Sequence, residues 1–396
     1  MENLLFLVHR IPYPPNKGDK IRSYHFLQAL SAHYRVYLGT FIDDPEDWNY
    51  ESSVQSFCKD TCIQSLQPLQ AKIKSLEGLL TGSALSVPYY RNKVLQTWVD
   101  QVIEQQEIKK VLIFSSVMAQ YVAHHKQLTL IVDFVDVDSD KWRQYALKKS
   151  WPESWLYRRE SERLLDYERQ VIDRARAGVF VSELEAELFK SLAPEFKDKV
   201  KAITNGVDTD YFSPEHVFPS PYPPQTSVMV FTGAMDYWAN VDAVKWFAEQ
   251  VFPALYRGNS LARFYIVGSK PTREVLALGE RPGVTVTGAV KDIRPYLASA
   301  HLVVAPLRIA RGIQNKVLEA MAMGKKVMAT SAAMEGIPLD GQPALSVIDD
   351  AEQFAEQAGH FLKAHAVPQT FDANRNFVLA QFSWQSSSER LISLIG

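Results

Sequence analysis

Residues 305–330 read APLRIARGIQNKVLEAMAMGKKVMAT, and this stretch decides the fold class. An apolar run ends near Pro306, and a short polar loop follows it. A helix is predicted next, over residues 314–323, and Gly324 is well suited to end it. The next predicted strand, residues 325–330, begins at once. Strand, loop, helix and strand in this order are typical of α/β proteins.

The same alternation continues along the rest of the chain. Near-continuous runs of Val, Ile and Leu are expected for strands when helices cover both faces of a parallel sheet. We predict a helix at residues 22–34 and strands at residues 4–8, 35–41, 111–115, 128–137, 178–182, 228–233, 262–268, 284–288, 301–306 and 325–330. The fold class is therefore α/β, with two doubly wound, Rossmann-like sheets.

A proline-rich stretch separates the two halves. Residues 203–227 hold five of the 21 prolines. Because proline fixes φ and cannot donate to a sheet ladder, we predict a linker at 207–219. The first domain is then 1–206, the second is 220–375, and a closing helix covers 376–396. Ligands bind at the carboxyl ends of strands in such sheets, so we expect a site in the cleft between the domains.

Net charge, cysteine count and the lengths of the apolar runs argue against several classes of protein. The chain has 396 residues, and 43 Lys and Arg residues face 45 Asp and Glu residues, for a net charge of −2. This balance argues against a nucleic-acid partner, which requires a strongly basic surface. Two cysteines are too few for a disulfide scaffold. With no long apolar run and no leader-like start, we expect a cytoplasmic protein that can still dock on a membrane surface.

The start of the predicted helix at 314–323 carries the most informative chemistry. A helix amino terminus offers free N–H groups and the positive end of its dipole, which suit a phosphate. Lys316 and Glu319 are three residues apart and share one face. Lys316 can neutralise a diphosphate, and the Glu319 carboxylate can accept hydrogen bonds from both hydroxyls of a ribose. The alternative is that the two residues form an exposed surface pair.

Several motifs in this order resemble a known enzyme family. They are EAMAMG (319–324), ITNGVDTDYFSP (203–214), FVSELEAELF (180–189) and GAVKDIRPYLASAHLVVAP (288–306). Together they resemble the family 4 glycosyltransferases. The stretches HRIPYPPNKGDKIRSYHFLQAL (9–30), DFVDVDSDKW (133–142) and RGIQNKVLEAMAMGKKV (311–327) are most similar to the sugar transferases associated with exosortase-type exopolysaccharide clusters.

The resemblance implies a GT-B fold, in which the C-terminal helix can cross back to the first domain. It implies a metal-independent hexosyltransferase that uses a nucleoside diphosphate sugar, retains the anomeric configuration and needs no cofactor. The implied acceptor is a saccharide or a polyprenyl-linked saccharide, and the implied process is exopolysaccharide biosynthesis. Such an acceptor would place the protein in peripheral contact with the inner face of the membrane.

The donor-binding residues implied by the resemblance are Gly18, Arg311, Gly312, Ile313, Gln314, Lys316 and Glu319. The chain departs from the family pattern at Arg311, eight residues before Glu319, where the family usually has a glutamate. It also has Ala234 and Ala239 where the family has two cations after the first strand of the second domain. We expect Arg311 and Lys316, with Arg308 as a further candidate, to take over neutralisation of the diphosphate.

On the acceptor side, Asp136 and Asp138 follow an apolar strand. Either carboxylate can orient or deprotonate an acceptor hydroxyl, and these two are the catalytic candidates. The alternative is that they are surface carboxylates beside a helix capped by Ser139 or Asp140. The spelling Asp-x-Asp matches a metal motif of another glycosyltransferase fold, but its place in the first domain argues against a metal site. His9 follows the first strand and either faces the site or is buried with a partner.

Two other functions stay open at this point. Arg311 in place of a glutamate suits a catalytically inactive nucleotide-sugar-binding subunit. A nucleotide-sugar epimerase of the same fold is the second alternative. Residues 141–165 mix Trp and Tyr with Arg and Lys, which suits an anionic lipid surface or an ordinary pair of helices with buried tryptophans.

Overall fold

The computed structural model describes residues 1–15, 18–147, 149–310, 313–338, 345–365 and 367–396. Two compact units make up the chain: Met1–Asn205 together with Ser387–Gly396, and Gly206–Ser386. Residues 207–219, expected to be a linker, belong to the second unit. Their backbone is tied there by the amide of Val207, which donates to the Phe382 carbonyl at 2.6 Å. Phe212 also joins the core of that unit.

The first unit is built on a parallel sheet. Within the described residues it has seven strands in the order β3-β2-β1-β4-β5-β6-β7. Their bounds are β1 Glu2–Val8, β2 Tyr34–Ile42, β3 Asp60–Ser65, β4 Lys110–Phe114, β5 Thr129–Val135, β6 Ala177–Phe180 and β7 Val200–Ala202. Leu5 of β1 pairs with Tyr37 and Val111 on its two sides. The apolar run at residues 4–8 is completely buried, as expected of a central strand covered on both faces.

Helices of the first unit connect these strands. They are α1 Gly18–His33, α2 Glu51–Gln55, α3 Pro68–Ser75, α4 Glu77–Thr81, α5 Ser86–Tyr89, α6 Lys93–Gln105, α7 Asp138–Leu147, α8 Glu153–Arg174 and α9 Glu183–Leu192. Short 3₁₀ segments lie at Pro45–Tyr50, Ser116–Val122 and Pro194–Phe196. Among the described residues, no helix of either unit is both long enough and apolar enough to cross a bilayer.

The second unit repeats the architecture with a six-stranded parallel sheet, again counted over its described residues. The order is β10-β9-β8-β11-β12-β13. The strands are β8 Ser227–Thr232, β9 Ala262–Val267, β10 Val284–Gly288, β11 Leu302–Ala305, β12 Val327–Ala329 and β13 Leu345–Val347. Met229 of β8 pairs with Phe264 on one side and Leu302 on the other.

The helices of the second unit cover both faces of this sheet. They are α10 Trp238–Trp246, α11 Phe252–Gly258, α12 Arg273–Leu278, α13 Arg294–Ser299, α14 Asn315–Ala322, α15 Ala351–Ala364, α16 Asp372–Gln381 and α17 Trp384–Ile395. A π-helical turn, Phe247–Val251, joins α10 to α11, and a 3₁₀ turn lies at Ala332–Met334. Helix α17 begins in the second unit and ends in the first.

The single closing helix predicted at 376–396 is instead the pair α16 and α17. The break falls at Ser383, whose hydroxyl oxygen accepts a hydrogen bond from the Ser386 amide at 3.1 Å. This contact caps α17 at its amino end, the role expected for a serine in that position. Two units with parallel sheets and covering helices confirm the predicted α/β, two-sheet fold class.

Candidate functional site

The main candidate site is a cavity of about 480 Å³ in the second unit. It lies where β8, β9 and β10 end, which is where parallel α/β sheets bind their ligands. Its walls are formed by Thr232, Gly233, Ala234, Asn240, Val267, Gly268, Ser269, Ala289, Val290, Ile293, Ile313, Asn315, Lys316 and Glu319. The volume falls in the range of pockets that enclose small molecules.

Two glycines keep side chains out of the floor of this cavity. A Cβ atom on Gly268 would lie 1.6 Å from the carbonyl oxygen of Gly233, which no side chain can tolerate. A Cβ atom on Gly233 would lie 2.8 Å from Nδ2 of Asn240 and 3.3 Å from Nζ of Lys316. The ends of β8 and β9 therefore present bare backbone, which allows a ligand to approach closely.

Helix α14 brings its amino end to the cavity. The Val317 amide donates to the Gln314 carbonyl at 2.9 Å, which leaves the amides of Asn315 and Lys316 as the first-turn N–H groups without a partner within the helix, and the dipole adds positive charge there. Val317, Leu318 and Met321 are completely buried, and this packing fixes the helix against the sheet. The helix ends at Gly324, where φ is +66° and a Cβ would lie 2.4 Å from Cγ2 of Thr370. Buried side chains therefore fix α14 against the sheet, and close packing around Gly324 fixes the chain just after its carboxyl end.

Lys316 is a cation held in place at the cavity wall. Its ammonium group donates a hydrogen bond to Oδ1 of Asn240 and lies 4.6 Å from the centre of the Phe231 ring. Asn240 is oriented in turn by donating from Nδ2 to the Ala234 carbonyl at 2.9 Å. Burial lowers the pKa of Lys316 to about 8, although the charge of Glu319 raises it in part. A ligand phosphate would place a negative charge beside this ammonium group and favour its protonated form.

Glu319 lies one turn along the same face of α14. Burial raises the pKa of its carboxyl to about 7, although the charge of Lys316 lowers it in part. Within the part of the chain that the structure describes, no group donates a hydrogen bond to this carboxylate. A partly buried carboxylate without donors is costly, and both of its oxygens remain available to hydroxyl groups of a ligand.

The predicted donor residues divide into three groups. Ile313, Lys316 and Glu319 line the cavity, so the alternative of an exposed surface pair is wrong. Gln314 takes the position before the first residue of α14 and is not among the residues that line the cavity. Arg311 and Gly312 lie outside the described residues.

Two further predictions concern residues away from this cavity. Gly18 is the first residue of α1, in the first unit. The guanidinium of Arg308 pairs with the carboxylate of Asp242, with Nε 3.0 Å from Oδ2. Arg308 is therefore already neutralised and does not line the cavity.

Sequence reasoning missed Asn240, which holds Lys316. It considered Ala234 and Ala239 as the positions of lost cations, and the structure places Ala234 on the cavity wall and Ala239 in the core. The next residue, Asn240, points toward the cavity from the first turn of α10. A polar residue in the first turn after a central strand was the signal that could have found it.

A smaller cavity of about 290 Å³ lies in the first unit, where β1, β4 and β5 end. Its walls are formed by His9, Asp19, Ser86, Tyr90, Phe114, Ser115, Val117, Phe134, Val135, Asp136, Asp138, Lys141, Trp142 and Leu164. Both predicted acceptor-side carboxylates are among them. This cavity is called the polar pocket below.

Lys141 joins the two carboxylates of the polar pocket. Its ammonium group lies 2.7 Å from Oδ2 of Asp136 and 3.1 Å from Oδ1 of Asp138. Burial alone would lower the pKa of Lys141, but the two carboxylates outweigh it and hold that pKa above its usual range. Capping by the next two residues is not observed, because the Ser139 hydroxyl donates to the buried Glu168 and Asp140 accepts from Arg143.

His9 and Asp19 form a second polar pair in the same pocket. Nε2 of His9 lies 3.5 Å from Oδ2 of Asp19, and Arg10 donates to the same oxygen at 2.7 Å. Burial alone would raise the pKa of Asp19, but His9 and Arg10 outweigh it and hold that pKa well below its usual range. Nδ1 of His9 is buried without a partner among the described residues. An imidazole oriented by a carboxylate is a typical acid–base pair.

The fold also brings together a group that the sequence did not predict. Nε2 of His124 and Nε2 of His125 lie 3.0 Å and 2.8 Å from Oδ1 of Asp100. These three residues offer possible metal ligands within 4.8 Å of one another. They belong to the first unit and line neither the 480 Å³ cavity nor the polar pocket.

The second unit contains a region that matches a known protein family. Residues 226–364 match the family model of glycosyl transferases group 1. The sequence matches none of the curated proteins with which it was compared. Among solved structures, sucrose-phosphate synthase from Thermosynechococcus elongatus is 16% identical with a TM-score of 0.65, and the match covers 100% of this chain and 98% of that one.

Two other structures are similar over their whole length. The HepE protein of Anabaena in complex with UDP is 15% identical with a TM-score of 0.62, and the match covers 99% of both chains. A glycosyltransferase from Rickettsia africae is 13% identical with a TM-score of 0.65, over 100% of this chain and 97% of that one. At sequence identities this low, similarity to a solved structure shows the fold alone. The chain therefore has the GT-B glycosyltransferase fold, and its second unit carries the region that matches the glycosyl transferases of group 1.

Proposed function

We propose that this chain is a glycosyltransferase that moves a hexosyl unit from a nucleoside diphosphate sugar to a saccharide or polyprenyl-linked saccharide, with retention of configuration. One observation carries the proposal: at the amino end of α14, a fixed cation and a carboxylate without donors face the same cavity. This combination suits a ligand that has both a diphosphate and a ribose. The match to group 1 glycosyl transferases supports it.

The diphosphate is proposed to bind between Lys316 and the first-turn amides of α14. Each charge-assisted hydrogen bond in a partly dry site contributes roughly 1.5–3 kcal/mol. Glu319 accepts hydrogen bonds from the two ribose hydroxyls, which meets the unsatisfied acceptors described above. Val290 and Ile293 then lie where the base would pack. The similar protein HepE has been solved with UDP and with UDP-glucose, which favours a uridine nucleotide.

The donor site is proposed to work without a metal. Glu319 is the one carboxylate among the described residues that line the cavity, and Mg²⁺ sites on nucleotides usually use one or two carboxylates plus phosphate. Here Glu319 is assigned to the ribose, so Lys316 and the helix end stabilise the diphosphate as it leaves. This is catalysis mainly by positioning and by electrostatic stabilisation. No cofactor takes part.

In the transfer step, the acceptor oxygen forms a bond to the anomeric carbon while the bond from that carbon to the β-phosphate oxygen breaks. The acceptor proton passes to the departing phosphate, on the same face of the sugar. We propose that the polar pocket binds the acceptor. Asp136 and Asp138, which Lys141 bridges, orient its hydroxyl groups, and His9 with Asp19 is the nearby acid–base pair.

The proposed process is exopolysaccharide biosynthesis at the cytoplasmic face of a membrane, with the protein attached peripherally. Trp151 and Trp155 support this location, since 80% and 55% of their surfaces are exposed beside basic residues. One alternative keeps the nucleotide site but not the transfer: a catalytically inactive nucleotide-sugar-binding subunit, suggested by Arg311. A nucleotide-sugar epimerase is the second alternative; such enzymes depend on acidic and basic residues that flank the sugar, and the donor segment of this chain fits them less well.

The test is calorimetric titration with UDP, GDP, ADP and dTDP, followed by assays of sugar release from the matching nucleotide sugar with and without acceptors. We expect one nucleotide to bind, and Lys316→Ala and Glu319→Gln to weaken it. Lys363→Ala and Glu356→Gln, both exposed on α15, are the matched controls. Binding without sugar release or transfer for any donor would favour the inactive subunit, and no nucleotide binding would contradict the proposal.

A further inference from the structure

A third cavity, of about 340 Å³, lies in the first unit between α3, α5, α7 and α8. We call it the aromatic cavity. Its walls are formed by Lys72, Ser75, Leu85, Ser86, Tyr89, Tyr90, Trp142, Leu156, Tyr157 and Glu160. Neither the donor nor the acceptor chemistry proposed above uses this space.

Several polar groups in the wall of the aromatic cavity already have hydrogen-bond partners. The buried Glu160 carboxylate accepts from the Leu85 amide at 2.6 Å, the Ser86 amide at 2.9 Å and the Ser86 hydroxyl at 2.6 Å. The Ser75 hydroxyl donates to the Lys72 carbonyl at 2.7 Å. A hydroxyl-rich ligand would find few free partners in these groups. Most of the remaining wall is formed by four aromatic rings and two leucines, and this lining favours an apolar occupant: Leu85, Tyr89, Tyr90, Trp142, Leu156 and Tyr157.

Exposed apolar side chains lie on segments that form or adjoin the wall of this cavity. On α3, α4 and the residue between them they are Leu69, Ile73, Leu76, Leu79 and Leu80, and on α7, α8 and the turn between them they are Tyr145, Leu147, Trp151 and Trp155. The exposed fraction reaches 91% for Leu80 and 80% for Trp151. Scattered single apolar residues need no explanation, but nine of them on α3, α4, α7, α8 and the residues that join these helices mark an interaction surface. We call these nine residues the apolar rim.

The rim is also basic, although the whole chain is slightly acidic. Residues 67–81 and 145–159 contain six Lys and Arg residues and two Glu residues. Arg159 fixes the two sides together by donating to the Gly78 carbonyl at 2.6 Å and the Ser83 carbonyl at 3.2 Å. Cations interleaved with Trp and Leu are the composition that binds the interface of an anionic bilayer. Charge complementarity therefore favours lipid as the partner of this surface.

The aromatic cavity adjoins the polar pocket. Ser86, Tyr90 and Trp142 line both. An apolar compartment and a polar compartment thus share lining residues, and the helices α3, α7 and α8 that form the apolar one also carry residues of the apolar rim. This arrangement suits a molecule with a polar head and a hydrocarbon tail.

We propose that the aromatic cavity binds the hydrocarbon chain of a lipid-linked acceptor whose polar head occupies the polar pocket, and that the apolar rim rests on an anionic membrane. This inference rests on the proposed function for the identity of the head group. It adds a binding site for the tail and names its residues. The proposed occupant is a hydrocarbon chain, and binding of a saccharide in the aromatic cavity would contradict the proposal.

The first experiment measures binding of dodecyl maltoside, octyl maltoside and maltose to the full chain by calorimetry, with both detergents below their micelle concentrations. Each methylene that is buried favours binding by roughly fourfold. We expect the dodecyl compound to bind at least about tenfold more tightly than the octyl compound. Leu156→Trp, which fills the cavity, is expected to remove most of that difference, and Leu184→Trp, at an exposed leucine on α9, to leave it unchanged.

The second experiment is flotation with vesicles of phosphatidylglycerol and phosphatidylcholine at low salt. The wild type is expected to float, and the Trp151→Ser/Trp155→Ser variant to stay in solution, while both still bind UDP through the second unit. Equal affinity for maltose and both detergents would overturn the tail site in favour of a saccharide site. Absence of chain-length dependence or of flotation in a protein that binds UDP would overturn the inference and leave the proposed function standing.

Discussion

The ammonium group of Lys316 on α14 is held by the amide oxygen of Asn240 on α10. The two residues are 76 positions apart in the chain and meet at the wall of the 480 Å³ cavity. Asn240 is neutral, so it positions the cation without cancelling its charge. The cation is therefore aimed at the cavity before any ligand arrives, which lowers the cost of ordering it on binding.

Replacing Lys316 by alanine is expected to weaken UDP binding by about tenfold to a hundredfold, because it removes charge-assisted hydrogen bonds worth roughly 1.5–3 kcal/mol. Isothermal calorimetry measures the change. Lys363→Ala removes a cation from the exposed face of α15 and is expected to leave the affinity as it is. Equal affinities for wild type and Lys316→Ala would contradict the assignment of the cation.

Changes at Asn240 test the positioning role separately from the charge. Asn240→Ala keeps the charge of Lys316 but removes the group that orients its side chain. We therefore expect a smaller loss of UDP affinity than for Lys316→Ala, of about threefold to tenfold. Asn240→Asp pairs Lys316 with a carboxylate beside the diphosphate, and we expect the larger loss of the two. The two variants are compared in the same titration, and a tighter complex for Asn240→Asp would rule out a phosphate near Lys316.

Binding of a nucleotide sugar is expected to depend on pH with a maximum between about 7 and 8. Above a pKa of about 8, Lys316 loses its proton and its charge. Below a pKa of about 7, the Glu319 carboxyl gains a proton and loses acceptor capacity. UDP-glucose is the suitable probe because its diphosphate has no group that titrates in this range. Glu319→Gln should abolish the fall in affinity below pH 7 and leave the fall above pH 8 unchanged. If the affinity of that variant still fell below pH 7, another group would be responsible.

Gly268→Ala is expected to destabilise the second unit, because the new Cβ would lie 1.6 Å from the Gly233 carbonyl oxygen. Strain of this kind typically costs 1–3 kcal/mol. Thermal unfolding monitored by circular dichroism measures it. Gly258→Ala is the control, since a Cβ there meets nothing within 4 Å. Equal stability of the two variants would show that the ends of β8 and β9 are not packed as described.

On the acceptor side, Asp136→Asn is expected to slow transfer to an acceptor by about tenfold to a hundredfold while the affinity for UDP stays the same. Such a result separates the polar pocket from the donor cavity, because the two lie in different units. Transfer is followed with a radiolabelled donor. A loss of UDP affinity in this variant would place Asp136 in the donor site instead.

The central strands could be predicted from the sequence because they are continuous apolar runs. Three strands were missed, β3, β7 and β13, and each lies at the edge of its sheet. Edge strands are covered on fewer sides, so the signal is weaker there, although the edge strand β10 was predicted. Asp60–Ser65 reads DTCIQS, and Val200–Ala202 has three residues. The closing helix was extended across Ser383 because α16 and α17 are both amphipathic and the gap between them is short.

From the sequence, only the part of the site that lies on a single helix could be predicted. Lys316 and Glu319 lie on one face of α14, and that face follows from their spacing alone. Asn240 could not be assigned, since its contact with Lys316 depends on how α10 packs beside α14. The same limit applies to Arg308, whose pairing with Asp242 depends on a carboxylate 66 residues away.

The most direct test of the account is a crystal structure of the full chain grown with UDP. The account predicts a phosphate within hydrogen-bond distance of Nζ of Lys316 and of an amide in the first turn of α14, with the Glu319 carboxylate accepting from both ribose hydroxyls. A nucleotide bound elsewhere, with the amino end of α14 empty, would contradict it.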